Sequence, residues 1–264
     1  LLRQGAELRR EHKLYGWRSR IGVIVSPPNS VVENEFSLMA PEGVSIHAAR
    51  LRRPEGVEGR LNSNVIMDTN QDLPLAAKSL AELKLGVAVF AHTSGSMLGG
   101  PAYDAELVQT IGKAAGCPAV TTASAVVEAL KLFRVGKLAL LTPYPEEMTL
   151  KELEFLEEAV PGLKVVSHRS LGVGRGSDLG DMEPTETYRQ SRIIDCSQAD
   201  ALFLSGTNWR TVEVIQSIES DLGIPVITAN QVSMWAALRV LSIEPSFDLT
   251  GEVSGGFGNL FNQR

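Results

Sequence analysis

The chain has 264 residues, of which 44% are hydrophobic and 21% are charged, and its formal net charge is −6. A chain of this length can bury a large core without disulfides or metals, as one large α/β domain or as two small lobes. Its weakly acidic charge and 6% aromatic content exclude the basic surface of a nucleic-acid-binding protein, and no apolar run reaches the roughly 18 residues that a membrane helix needs.

Short apolar segments bounded by turn residues predict eight strands, over 20–26, 43–48, 86–91, 119–121, 137–142, 164–168, 201–205 and 225–228. Between them, the clearest helical patterns cover 102–115, 124–133, 146–158, 184–197, 211–222 and 232–240. Strands of this length that alternate with helices indicate βαβ units, so we expect an α/β fold with parallel sheets. The continuous apolar strands indicate sheets that helices cover on both faces.

The two halves of the chain contain similar segments in the same order. GVIVSPP (22–28) resembles LALLTPY (138–144), VAVFAHTSGS (87–96) resembles ALFLSGTNWR (201–210), and CPAVTTASAVVEAL (117–130) resembles IPVITANQVSMWAAL (224–238). This repeat predicts two pseudosymmetric lobes, over 21–134 and 135–242, with the C-terminal segment returning to the first lobe. Residues 1–20 are predicted to be a helical extension and 243–264 a tail. The alternative is chance, because short αβ segments resemble one another.

The two cysteines, Cys117 and Cys196, lie far apart in the sequence. This spacing fits neither a disulfide framework nor a metal-binding cluster and favours a reducing environment. The first twenty residues are charged throughout, which is not typical of a secretory signal. Together these features predict a soluble cytoplasmic protein that is an enzyme or a small-molecule binder.

Polar loops follow several of the predicted strands, where parallel sheets bind their ligands. Segments 26–30, 92–96 and 205–211 are rich in hydroxyl groups and glycine, and Tyr144 follows strand 137–142. The free N–H groups at the start of a helix attract carboxylates, so two such loops facing each other predict a carboxylate site between the lobes. The alternative is ordinary helix capping, for which Ser, Thr and Asn are the preferred residues.

Of the four histidines, His92 differs because it comes directly after a strand and before a hydroxyl-rich loop. A nearby helix N-terminus would lower the pKa of His92 and favour the neutral imidazole, which serves as a base or a hydrogen-bond donor. The alternative is a histidine that only holds the loop. His12 is predicted to be solvated, and His47 and His168 to be packed or edge residues of strands.

Other patterns carry weaker signals. GVGRG (172–176) is not a G-x-G-x-x-G sequence and lacks the acidic partner of a dinucleotide site. The pairs Glu33/Glu35 and Glu146/Glu147 are interpreted as solvated helix starts, and Trp235 as a core residue.

Five blocks carry a family resemblance: GVIVSPPNSVVENEF, AHTSGSMLGG, CPAVTTASAVVEALKLFRVGKLALLTPYPEE, ADALFLSGTNWRT and PVITANQVSMWAALR. In order and spacing they resemble the aspartate/glutamate racemase superfamily, in its maleate cis-trans isomerase and arylmalonate decarboxylase branch. The resemblance implies two pseudosymmetric lobes with the site between them and no metal or organic cofactor. It also implies that hydroxyls and backbone amides bind a substrate carboxylate, at the matching residues Thr93, Ser94, Tyr144 and Thr207. Asn29 matches an asparagine that many isomerase members place near the substrate.

The sequence departs from this family at the two cysteines on which its catalysis depends. His92 occupies the first cysteine position and Gly206 the second, while Cys117 and Cys196 lie elsewhere, before a strand and inside a predicted helix. The decarboxylase branch lacks only the first cysteine, so this chain matches neither pattern. We therefore expect His92 and Tyr144 to be catalytic. The substrate-binding residues expected are Asn29, Thr93, Ser94, Gly206, Thr207 and Asn208.

The leading hypothesis is a cofactor-independent enzyme that acts on a small carboxylate or carbonyl compound by one-base chemistry. Decarboxylation, hydration or elimination, and hydrolysis all fit that description. One alternative is a maleate-type isomerase with His92 as the nucleophile, and another is a catalytically silent protein that binds a small acid or regulates a partner. The expected partners are a small carboxylate substrate and further copies of the chain, but neither nucleic acid nor membrane.

Overall fold

A computed structural model describes residues 14–56, 59–244 and 257–262. The first sheet has the strand order β2-β1-β3-β4 and is entirely parallel. Its strands are β1 (Ser19–Val25), β2 (Val44–Arg50), β3 (Val87–Ala91) and β4 (Ala119–Thr121). The helices of this half are α1 (Val32–Met39), α2 (Ser63–Asn70), α3 (Leu73–Leu80), α4 (Thr93–Met97), α5 (Gly100–Ala115) and α6 (Thr122–Leu132), with a 3-10 turn at Ala81–Leu83.

The second sheet repeats the same parallel arrangement, in the order β6-β5-β7-β8. Its strands are β5 (Lys137–Thr142), β6 (Lys164–Ser170), β7 (Ala201–Leu204) and β8 (Val226–Thr228). Its helices are α7 (Glu146–Ala159), α8 (Gly176–Gly180), α9 (Pro184–Ile193), α10 (Ile215–Leu222) and α11 (Ala229–Val240), with 3-10 turns at Val212–Val214 and Asn259–Asn262. The predicted α/β fold, with parallel sheets flanked by helices, is confirmed.

The central strands of both sheets are largely buried. Every residue of β3 and of β7 is buried, because helices cover both faces of each sheet. The helices that follow the last strands start in the same way. Thr121 and Thr228 cap α6 and α11, each accepting a hydrogen bond from the backbone N–H three residues on, in a capping box with Ser124 and Gln231. The two capped helices pack against each other, and the hydroxyls of Thr122 and Ser233 lie 3.0 Å apart.

Helix α11 also contacts β3 and α1 of the first half. The segment 257–262 packs on the same side, where the side-chain amide of Gln231 donates a 2.6 Å hydrogen bond to the carbonyl of Phe257. Trp235 on α11 is 3% exposed, as expected for a core residue. No helix in the described part of the chain is long and apolar enough to cross a membrane.

The structure differs from the sequence expectations in several places. Helix α9 ends at Ile193, so Cys196 lies in the following turn and its predicted helical position is wrong. Residues 14–18 form turns and bends before β1, and residues 1–13, with His12, lie outside the described residues. The residue bounds of the two lobes and of the tail stay a prediction.

Candidate active site

A cavity with about 560 Å³ of atom-free space lies between the two halves, beyond the carboxyl ends of the strands. One wall is polar and is formed by Ser26, His92, Ser94, Tyr144, Thr207 and Asn208. The other part of the lining, the apolar wall, includes Pro27, Pro28, Leu61, Val65, Ile66 and Leu179. A lining of this composition suits a small organic molecule with one polar end and one apolar end.

His92 directly follows β3 and is the N-cap residue of α4. Its ring stands edge-on to Phe90, with centroids 5.6 Å apart, and packs against the α-carbon of Gly95. Nδ1 of His92 is buried without a hydrogen-bond partner among the described residues. Burial lowers the pKa of His92 from 6.5 to about 4, so the imidazole in the cavity wall is neutral at neutral pH.

Tyr144 reaches the cavity from the loop after β5 and is 4% exposed. Burial and the nearby Glu152 carboxyl raise the pKa of Tyr144, while the Ser94 and Thr93 hydroxyls beside the phenol oppose that rise. The phenol therefore keeps its proton at neutral pH. The phenol lies next to one serine and one threonine hydroxyl. Such O–H groups can donate hydrogen bonds to negative charge that develops on a bound substrate.

Gly206 lies directly after β7, close to the phenol of Tyr144. Its φ of +137° is disfavoured for any residue with a side chain, and a Cβ there would lie 3.2 Å from Cγ of Pro143 and 3.4 Å from the Tyr144 hydroxyl oxygen. A side chain at this position would therefore crowd the phenol as well as strain the backbone. The local backbone therefore suits glycine. Gly206 itself has no side chain to donate a proton, and the Tyr144 phenol lies beside it.

Glu152 is the functional candidate that sequence reasoning missed. It lies on α7 with no exposed surface, beneath the polar wall. The hydroxyl of Ser94 donates a 3.2 Å hydrogen bond to Oε1, and that of Ser205 donates a 2.5 Å hydrogen bond to Oε2. Burial raises the pKa of Glu152 to about 7, against the opposing effect of the two serines. Ser94 and Ser205 each follow a central strand, one in each sheet.

Asn29 and Asn208 brace the two halves against each other. Oδ1 of Asn29 accepts hydrogen bonds from the backbone N–H groups of Val31 and Val32. Its Nδ2 donates a 3.3 Å hydrogen bond to Oγ1 of Thr207. Asn208 donates to the carbonyl of Gly176 at 2.8 Å and accepts from the backbone N–H of Ser30 at 2.9 Å. These bonds occupy both side-chain amides, so their main role in this structure is to hold the loops that form the polar wall.

Glu35 is a second buried carboxyl behind that wall. It is 3% exposed and accepts hydrogen bonds from the backbone of Thr211 and Val212 and from the side chain of Asn230. Burial raises the pKa of Glu35 to about 7. The interpretation of Glu35 as a solvated helix start is wrong, because its partners come from the other half of the chain. Glu33 on the same helix is partly exposed and forms an ion pair with Arg50 at 2.8 Å.

Two loops close the top of the cavity. The backbone N–H of Leu61 donates to the carbonyl of Gly174 at 3.0 Å, and Arg60 forms a bridge with Arg175. Arg53 lines the cavity beside these loops, and its Nε is buried without a hydrogen-bond partner among the described residues. Cationic side chains at the edge of a cavity attract anionic ligands.

The structure brings together His92, Ser94, Tyr144, Thr207 and Asn208 as cavity-lining residues. The other three predicted site residues lie just behind them: Asn29 bonds to Thr207, Thr93 is fully buried beside Tyr144, and Gly206 adjoins the phenol. Neither Cys117 nor Cys196 lines the cavity. Among the described residues, no three His, Cys, Asp or Glu side chains are placed to share a metal ion.

Comparison with known proteins gives a consistent family. Residues 21–254 match the family model described as arylmalonate decarboxylase. The chain is 25% identical over 251 residues to a maleate isomerase of Geobacillus stearothermophilus, covering 90% of this chain and 97% of that protein. It is also 25% identical over 257 residues to the arylmalonate decarboxylase of Bordetella bronchiseptica, covering 92% and 96%.

The fold is similar to that of a solved maleate cis-trans isomerase from Nocardia farcinica. The TM-score is 0.82 at 23% identity, and the match covers 93% of this chain and 99% of that one. That structure contains a covalently bound succinylcysteine intermediate. Because the match covers nearly all of both chains, it includes both parallel sheets of this protein.

Proposed function

Because the chain belongs to the arylmalonate decarboxylase family, we propose that it decarboxylates a small malonate-type acid that carries an apolar substituent. The family's branch includes maleate isomerases as well as arylmalonate decarboxylases, so the protein is an enzyme of isomerase or lyase type. The observation that carries the choice of reaction is the composition of the polar wall. It offers a neutral imidazole and a protonated phenol, and no thiol among the described residues that line the cavity.

Decarboxylation places specific demands on such a wall. When the carbon–carbon bond to the leaving carboxylate breaks, its electron pair moves onto the α-carbon and the retained carboxylate, forming an enediolate. Hydrogen-bond donors aimed at the retained carboxylate stabilise that charge, and removing one such donor from an enzyme typically costs about 10²–10³ in rate. His92 and Thr207 line the cavity and supply such donors here.

The reaction then requires one proton on the α-carbon. Tyr144 is the group assigned to this step, because its phenol is protonated and adjoins the space beside Gly206. An enediolate is a far stronger base than a phenolate, so the transfer is favourable despite the raised pKa of Tyr144.

His92 acts in this proposal as a neutral hydrogen-bond donor. Its Nδ1 lies at the start of α4, where the partial positive charge of the helix N-terminus favours a lone pair. The proton then resides on Nε2. With a pKa of about 4, His92 is not a store of protons at neutral pH.

The cavity also suits a particular kind of substrate. Leu61, Val65 and Ile66 on the apolar wall fit an aryl or alkyl substituent, and Arg53 and Arg60 at the edge favour a dianion over a neutral molecule. Phenylmalonate has both features. The homo-oligomer and cytoplasmic location that the sequence suggests stay predictions, of which light scattering after size exclusion tests the first.

The test is incubation of the purified enzyme with phenylmalonate, followed by measurement of released CO₂ and of phenylacetate. Wild-type enzyme is expected to release both in equal amounts. Tyr144→Phe is expected to lower kcat by about 10²–10⁴, the usual contribution of a general acid. Thr185→Ala, an exposed substitution remote from the cavity, serves as the control. No CO₂ from any aryl- or alkylmalonate would rule out the proposal.

A second candidate reaction is isomerisation of maleate with His92 as the nucleophile. Its neutral ring has a free lone pair, which an addition to the double bond requires. Imidazole is a poorer leaving group for this purpose than the cysteine thiolate, so the reaction ranks second. Incubation with maleate, followed by peptide mass spectrometry, distinguishes the two: an adduct on the peptide that contains His92, together with fumarate, supports isomerisation.

A further inference from the structure

The buried carboxyl of Glu152 is linked to the polar wall through the hydroxyl of Ser94. Ser94 bonds to Glu152 on one side and lies beside the Tyr144 phenol on the other. Ser94 and Tyr144 both line the cavity, whereas Glu152 has no exposed surface. The Ser94 hydroxyl donates to the Glu152 carboxylate. When Glu152 is protonated this bond can reverse, so that Ser94 accepts from the carboxyl and donates to Tyr144, and a hydroxyl in that orientation conducts a proton.

We propose that Glu152 is a positioning residue that supplies a proton to Tyr144 through the hydroxyl of Ser94, a role that rests on the proposed decarboxylation. Each turnover breaks one carbon–carbon bond and forms one carbon–hydrogen bond, so one proton is consumed. The Tyr144 phenol gives that proton to the α-carbon and takes the proton of Ser94. Ser94 takes the proton of Glu152, and the Glu152 carboxylate regains one from water after the product leaves.

The groups around Glu152 fit this role. The titratable group that faces it is Tyr144, from the loop after β5, and the other partners are Ser94 on α4 and Ser205 after β7. His92 lines the same cavity but carries no charge at neutral pH. With a pKa of about 7, Glu152 is protonated in part of the molecules at neutral pH. His92, with a pKa of about 4, is not protonated there.

The two serines differ in where they lead. Ser94 connects Glu152 to the cavity, but Ser205 does not line the cavity and bonds to the other carboxyl oxygen. Ser205 lowers the pKa of Glu152 by its hydrogen bond, so its removal raises that pKa. Ser205→Ala therefore changes the acidity of Glu152 without interrupting the path through Ser94.

The first part of the test needs no turnover. Infrared spectra of wild-type enzyme and Glu152→Gln are recorded across pH 5–9, the range that brackets the titration. Glu35 titrates in this range in both proteins and cancels, so the wild-type-minus-variant difference is expected to contain one protonated carboxyl that disappears near pH 7. The signal is expected at higher pH in Ser205→Ala. An ionised Glu152 carboxylate throughout this range overturns the proposal, whether or not phenylmalonate reacts.

The second part uses phenylmalonate turnover. Wild-type kcat is expected to fall tenfold per pH unit above about 7, because Glu152 then lacks its proton. Glu152→Gln is expected to lower kcat about 100-fold with KM unchanged and to abolish this fall. Glu154→Gln, an exposed substitution on the same helix with the same charge change, is the control.

The outcomes separate the two proposals. CO₂ release with an unchanged pH profile in Glu152→Gln overturns the relay and leaves decarboxylation intact. No CO₂ release from the wild type removes decarboxylation and the relay with it. Circular dichroism checks that Glu152→Gln is folded, and if it is not, the upward pH shift expected in Ser205→Ala is decisive.

Discussion

The imidazole of His92 packs so closely on Gly95 that a Cβ at residue 95 would lie 2.4 Å from Nδ1 and 3.0 Å from the ring of Phe90. Gly95 is also fixed by helix α2, because the side-chain amide of Asn70 donates a 2.7 Å hydrogen bond to the Gly95 carbonyl. The ring position therefore depends on the absence of a side chain at residue 95.

Gly95→Ala is expected to displace the His92 ring and to lower phenylmalonate turnover by about 10²-fold, the cost of losing one aligned donor. Overpacking is expected to destabilise the fold by roughly 1–3 kcal/mol. Thermal melting and kcat measure the two effects. Gly174→Ala is the matched control, since a Cβ there meets no atom within 4 Å. Equal activity of the two variants would contradict this account of His92.

Burial of His92 predicts a loss of stability in acid. The folded pKa of about 4 lies below the ordinary value of 6.5, so the unfolded chain binds more protons than the folded one between these values. The contribution of His92 to stability is fully present above pH 6.5 and falls as the pH drops towards 4, by on the order of 3 kcal/mol.

The check is the free energy of unfolding of wild type and His92→Gln, measured in urea at several pH values. Because the variant lacks the imidazole, the difference between the two proteins is expected to change over this acidic window and to be constant above it. Parallel curves throughout would show that the ring is not buried as described.

The strands could be predicted from the sequence because burial leaves a local signal there. VAVFA and ALFL are continuous apolar runs, and both prove to be fully buried strands. Helices α2 and α3 were not predicted, since short segments such as SNVIMDTN carry little helical periodicity. The strand-end loops could be predicted because polar residues follow apolar strands, and eight of their residues, counting Tyr144, line the cavity.

The buried carboxyls could not be predicted because their partners are remote in sequence. Glu152 lies in a helix that also contains Glu146, Glu147, Glu154, Glu157 and Glu158, and no local pattern singles it out. Its environment comes from Ser94 and Ser205, on two different sheets. The same applies to Glu35, whose partners lie about 176 residues away, and to the closing of the cavity by Leu61 and Gly174.

The backbone at Gly206 predicts that a side chain there is harmful. Gly206→Ala is expected to destabilise the protein by about 1–3 kcal/mol because of its φ of +137°. It is also expected to lower turnover, since the new methyl group would lie 3.4 Å from the Tyr144 hydroxyl oxygen. Thermal melting and phenylmalonate kinetics measure both. A fully active, fully stable variant would show that the loop after β7 has another conformation.

Arg53 predicts a separation of binding from chemistry. Arg53→Gln is expected to raise KM for phenylmalonate with kcat nearly unchanged, because the arginine lines the cavity and attracts the substrate but takes no part in the proposed bond breaking or proton transfer. Higher ionic strength is expected to reduce the difference from the wild type. Arg52→Gln provides the control with the same charge change, since Arg52 is exposed and bonds to Asp72. A lower kcat in Arg53→Gln would place the arginine at the reacting atoms.

Glu35 predicts a pH dependence of stability opposite to that of His92. Its folded pKa of about 7 lies above the ordinary value of 4.5, so the folded chain binds more protons between these values and stability falls as the pH rises through them. Glu35→Gln removes this ionisation and keeps an oxygen that accepts from the backbone of Thr211 and Val212. Its stability relative to the wild type is therefore expected to rise from pH 4.5 to 7, by roughly 3 kcal/mol. Urea unfolding of both proteins measures this rise. Glu33→Gln makes the same charge change at a partly exposed position on the same helix and is expected to show no such rise. A similar rise in both variants would trace the effect to net charge.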